Sequence, residues 1–156
     1  MRTLAFLLCM FAPMPALALS CARPSVEQAY SNAAKSEAIF TVLKGTLTFD
    51  EGRLPQPDMK TQKSPQRTVI PARFKGHSLS KAGFVTAFDR PVDLVVRCAV
   101  VWCGGGKSGE NLVAFVEKTE TGYALEVGPC GGRAFEASAK NVSRAKQCMT
   151  SGNCSR

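Results

Sequence analysis

Histidine is nearly absent from this sequence of 156 residues, and the single copy, His77, would have to carry any imidazole chemistry alone. One histidine cannot complete the mixed cysteine–histidine sets that hold zinc. The cysteine spacings do not help, since Cys98-x4-Cys103 lies at the loose end of ligand spacing and Cys148-x5-Cys154 beyond it. No cofactor is therefore expected. No Gly-x-Ser-x-Gly elbow presents a nucleophile, so a hydrolase would have to assemble His77 with Ser78 or Ser80 and Asp89. Gly104-Gly-Gly-Lys-Ser108 ends like a phosphate-binding loop, but Val101 stands where the loop needs its first glycine, so a hairpin tip is expected. Aromatic residues interleaved with the bases, of the kind that stacks nucleotides, are thin, which argues against single-stranded nucleic acid. Long apolar runs are missing as well. Nothing beyond the first twenty residues approaches the roughly eighteen that a transmembrane helix needs.

The opening residues read as an export leader. Met1-Arg2 gives a positive start, residues 3–11 are apolar but short, Pro13 and Pro15 break them, and Ala16-Leu17-Ala18 is a small-x-small cleavage box. Residues 1–18 are accordingly expected to be a signal peptide and residues 19–156 one domain. That length suffices for one core and not for two comfortable domains. The protein would act in the periplasm or outside the cell. A second reading takes Leu17-Ala-Leu-Ser-Cys21 as a loose lipobox, with the mature chain lipid-anchored at Cys21.

Cysteine parity bears on the choice. Cleavage after Ala18 removes Cys9 and leaves Cys21, Cys98, Cys103, Cys130, Cys148 and Cys154, an even set that reads as three disulfides in an oxidising compartment. Lipidation of Cys21 would strand one thiol. Parity leaves the pairing open, although the flexible Met-Thr-Ser-Gly-Asn bridge suits a local Cys148–Cys154 loop. It also opposes a cysteine–histidine nucleophile.

Acids are few beside bases. The chain has 20 Lys and Arg against 12 Asp and Glu; losing Arg2 lowers the basic count to 19 and the formal charge from +8 to +7. An exported protein of that charge is suited to anionic partners, such as acidic glycans, lipopolysaccharide or phospholipid surfaces. Two groups of bases stand out. Lys60, Lys63, Arg67, Arg73 and Lys75 crowd a proline-rich loop and the strand after it, and Arg133, Lys140 and Arg144 lie on or near a final helix. If the loop folds toward that helix, the two groups make one anionic-ligand patch.

Periodicity predicts a mainly β domain between two helices. Ser25 caps a first helix, Gln28 completes a capping box, and Val26, Ala29, Tyr30 and Ala33 share a face. Residues 38–49 turn to β, with Gly45 placed to bulge or bend the strand. Residues 51–66 are polar with three prolines and read as an exposed loop. Strands follow at 68–74, 83–88, 92–102, 111–117 and 123–127, with Gly76-His77-Ser78 as a turn and Glu120-Thr-Gly122 as a hairpin. Residues 134–147 read as the closing helix. Short strands with little helix point to a closed or nearly closed barrel.

The order of motifs resembles a family. Cys21-Ala-Arg-Pro-Ser-Val-Glu-Gln-Ala-Tyr30, Ser36-Glu-Ala-Ile-Phe40 and Lys44-Gly45 are similar to the start of netrin-like domains, the OB-fold modules that include the tissue inhibitors of metalloproteinases. Arg73-Phe-Lys-Gly76, Val101-Trp-Cys-Gly104, Asn111-Leu-Val-Ala-Phe-Val116 and Gly122-Tyr-Ala-Leu-Glu-Val-Gly-Pro-Cys130 follow in the family's order. The resemblance implies an OB-fold-like small barrel, stapled by disulfides, with a helix at each end. It implies a Cys21–Cys130 bond and leaves Cys103 with Cys98 as its nearest substitute partner, provided the apparent strand between them turns. In the inhibitors the first cysteine is the mature N-terminus and ligates the target's zinc. Leu19 and Ser20 precede a single Cys21 here, so inhibition by that wedge is not expected. The expected function is a noncatalytic, exported binding or interaction module for an anionic ligand or another exported protein. The alternative is a protease-regulating factor or small hydrolase that uses the loop around His77.

Overall fold

The computed structural model describes residues 20–152 and Cys154; the leader and its cleavage box lie outside them. The chain runs α1 (Val26–Lys35), β1 (Ile39–Phe49), a short 3-10 turn (Glu51–Arg53), β2 (Arg67–Ser80), β3 (Gly83–Ala99), β4 (Trp102–Cys103), β5 (Asn111–Lys118), β6 (Tyr123–Val127), β7 (Ala134–Glu136) and α2 (Ala139–Ser151). It is mainly β with two helices. Antiparallel pairings join β1 to β2, β2 to β3, β6 to β5 and β5 back to β1, while β3 and β6 run parallel. These five pairings thus return to the strand they started from, and β7 and β4 attach to β5 and β3.

Strand alternation divides the apolar residues between two cores. Leu43, Leu47, Phe74, Leu94, Ala114 and Val116 fill the space within the strands. Val42, Val113 and Phe115 point the other way and pack with Val26, Ala29 and Ala145 of the helices. Residues 113–116 are consequently all buried, the unbroken apolar run of a strand covered on both faces. The helices touch the sheet only from outside.

Local chemistry accounts for the helix ends. Ser25 Oγ accepts from Gln28 N at 3.2 Å, as expected of the cap. The Gln28 side chain does not close the capping box, however, and donates to Asn32 instead. Ser138 caps α2, and Gly152, with φ of 66°, ends it in the left-handed conformation. The closing helix therefore begins at Ala139, because residues 134–136 are taken up as β7 beside β5.

Three strand expectations are corrected. Gly45 makes no bulge; it lies opposite Gly76 in unbroken register, where a Cβ on either residue would run into the neighbouring strand's carbonyl. Gly76-His77-Ser78 is not a turn, because those residues continue β2, and the chain reverses at Lys81-Ala82. The strands expected at 83–88 and 92–102 are one strand ending at Ala99. Pro91 sits inside it, but β6 joins β3 only from Asp93, so the proline occupies a stretch paired on one side, where strands tolerate it.

Three disulfides staple the fold: Cys21–Cys130, Cys98–Cys103 and Cys148–Cys154. They fit an oxidising, exported environment. The Cys21 sulfur is bonded to Cys130, so it is not open to the thioether that lipid anchoring would require. Among the described residues no helix is long and apolar enough to cross a membrane.

Candidate functional site

Residues directly opposite on paired strands share a face, as do residues two apart on one strand. Arg67 lies opposite Arg97, and Ala99 opposite Trp102. Arg67, Arg97, Ala99 and Trp102 therefore share the outer face at the end of β2 and β3. Cys98 and Cys103, also opposite one another, point the other way and bond there, with Cys103 packed against the inner core. The chain turns between them at Val100-Val101. Val100 has φ of 58°, a conformation that a β-branched residue rarely adopts.

Two arginines placed opposite one another repel. Glu126 offsets one of them, its Oε2 accepting from Arg97 Nε at 2.9 Å. Arg67 makes no ion pair among the described residues. The proline-rich loop adds charge alongside. Asp58 and Lys63 bridge its two limbs through backbone hydrogen bonds of 2.9 and 3.2 Å, and Gln66 O accepts from Cys98 N at 3.2 Å. Lys63, Ser64 and Gln66 then face Arg97, Ala99 and Val100 across one cleft. Ser64 Oγ is buried there without a hydrogen-bond partner. Lys60 is exposed on the same turn.

Asp58 is the acid inside this cationic turn, and its hydrogen bonds keep it ionised. The Thr61 hydroxyl donates to Oδ2 at 2.7 Å, and the Lys60 and Thr61 amides donate to Oδ1 at 2.9 and 3.3 Å. Together they hold its pKa below the ordinary 3.8, the Thr61 hydroxyl contributing most. Farther along β2, Arg73 Nε meets Asp89 Oδ1 at 2.7 Å. That hydrogen bond lowers the Asp89 pKa against desolvation, and the charges of Arg73 and Lys75 add to the lowering.

The remaining bases belong to the helical side. Arg133 reaches Glu117 at 3.4 Å and places its guanidinium 4.9 Å from the Phe40 ring centre. Arg144 pairs with Glu27 at 3.2 Å and donates to Gln147. Lys140 is exposed in the first turn of α2. Lys63 and Arg133 line different clefts. Arg97, Val100 and Trp102 were not among the residues the sequence put forward. The signal for them was the close Cys98–Cys103 spacing, since a bond between those residues forces a turn and sets its tip into solvent.

His77 is exposed on β2, between Lys44 of β1 and Ala87 of β3, so no loop surrounds it. Its expected companions are engaged elsewhere. Ser78 Oγ donates to Thr86 O at 3.4 Å, Ser80 Oγ to Gly83 O at 3.3 Å, and Asp89 holds Arg73. Among the described residues no three histidine, cysteine, aspartate or glutamate side chains converge as metal ligands would. Comparison with family models, with curated proteins and with solved structures finds no match.

Proposed function

We propose that this chain is an exported, noncatalytic binding module on a netrin-like OB barrel that takes an anionic ligand at the outer face of β2 and β3. The observation that carries the reading is the pair of opposed arginines, Arg67 and Arg97, with Lys63 facing Arg97 across one cleft. An anion held between these groups would relieve their repulsion. The ring of strand pairings, closed through the parallel β3–β6 pair, supports the barrel. OB barrels take ligands across their second and third strands and the loop between the first two. Here those segments are β2, β3 and residues 50–66, which carry Lys60, Lys63, Arg67, Arg73, Lys75 and Arg97. The leader and the three disulfides support a periplasmic or extracellular site of action.

Retention on an immobilised polyanion tests the reading. The protein should bind at low salt and elute as salt screens the contact. Joint replacement Lys63→Ala and Arg67→Ala should lower the eluting salt, whereas Lys140→Ala on the helical side should change it little. Salt-independent retention, or a double variant eluting with the parent, would overturn it.

A further inference from the structure

The hairpin tip carries more than charge. Val100 is 65% exposed, Trp102 53% and Met59, on the adjoining Asp58–Lys63 turn, 70%. Large apolar side chains held out singly are ordinary, but Val100 lines the cleft with Lys63 and Arg97, Trp102 lies opposite Ala99 of that cleft, and Met59 stands on the turn that carries Lys63. The tip is also fixed. The Cys98–Cys103 bond closes its base, Cys103 is seated on the inner core, and Gly104 is packed so tightly on the Val127 carbonyl that a Cβ would collide with it. A valine at positive φ where a glycine would fit freely is backbone strain at an exposed site, an observation that points toward function.

From this placement we infer that the Cys98–Cys103 hairpin is an interfacial membrane anchor. It sets Val100 and Trp102 at the boundary between headgroups and acyl chains of an anionic phospholipid surface, while Lys60, Lys63 and Arg67 meet the headgroup charge. The inference rests on the anionic-ligand reading above and names its partner. Charge complementarity selects the lipid's sign. The apolar tip favours a membrane over a soluble glycan, because valine and methionine offer nothing to hydroxyl or sulfate groups yet gain from leaving water. Tryptophan is the side chain that interfaces accommodate best, with an apolar ring and one polar N–H. Weak insertion combined with basic charge gives reversible attachment where neither would suffice alone.

Trp102 is the only tryptophan, so its fluorescence reports this tip and nothing else. The full exported protein is titrated with vesicles of phosphatidylcholine alone and of phosphatidylcholine mixed with phosphatidylglycerol. The emission should shift to the blue and resist acrylamide quenching with the mixed vesicles only. Trp102→Ser should weaken co-sedimentation with mixed vesicles about tenfold. Val100→Ser should weaken co-sedimentation as well, and an unchanged melting temperature with all three disulfides present would show that either variant is folded. Sedimentation without a blue shift, or undiminished sedimentation of Trp102→Ser, would overturn the anchor. Retention on the polyanion without vesicle binding would overturn the anchor and leave the anionic-ligand reading standing; loss of both would overturn both.

Discussion

Gly45 and Gly76 bring β1 and β2 together where no side chain fits on either strand. A Cβ on Gly45 would enter the Lys75 carbonyl, and one on Gly76 the Lys44 carbonyl. Both obstacles are backbone in a paired register, so neither can swing aside. Gly45→Ala should therefore cost about 3 kcal/mol, read as a lower urea midpoint with an unchanged slope. Asp58 gives a gentler, pH-dependent case. Hydrogen bonds depress its folded pKa below the ordinary 3.8, so the turn's stabilisation is complete above that value and is lost as pH falls through the folded pKa. The melting-temperature difference between the parent and Asp58→Ala should accordingly be constant from about pH 5 to pH 8 and close on acidification below the carboxylate range. A gap that persists in strong acid would mean that the turn is held by something other than the ionised carboxylate.

At the scale of elements, what was legible followed short-range rules. Ser25 marked the start of α1, strand-forming residues marked β1, β5 and β6, and the prolines marked the loop before β2. What was not legible depended on distant partners. Gly76 looked like a turn residue because its reason, the backbone of Gly45, is thirty-one positions away in the chain. Residues 83–88 and 92–102 read as two strands because nothing local shows that Pro91 stands where β3 is paired on one side, with β6 joining only from Asp93. Residues 134–136 carry a helical pattern but are captured by the edge of β5. The site was legible in the same measure: the loop and β2 bases were visible as a run, whereas Arg97 and Trp102 joined them only through register. The β3–β4 hairpin makes its own prediction, since its turn forces Val100 to φ of 58°. Val100→Gly should stabilise the protein by about 1 kcal/mol while weakening vesicle binding. Stability and attachment moving in opposite directions would separate the hairpin's two roles in one variant.

For the molecule as a whole, the arrangement is a ring of strands with its own core and a second core beneath two helices lying outside it. The disulfides act on different parts of that arrangement. Cys21–Cys130 spans 109 residues, tying the segment before α1 to the turn that precedes β7, and so it holds the helical layer to the ring. Cys148–Cys154 spans six and closes only the end of α2. If the bonds stabilise chiefly by restricting the unfolded chain, the long closure is worth roughly 5 kcal/mol and the short one roughly 2. Replacing Cys21 and Cys130 by serine should then lower stability by more than twice as much as replacing Cys148 and Cys154, as measured by urea unfolding of the otherwise oxidised protein. The reverse order would mean that the buried Cys148, and the α2 packing it supports, matters more than chain entropy. In that case the helical layer is held by its apolar contacts with β1 and β5, and the long disulfide secures an arrangement already stable without it.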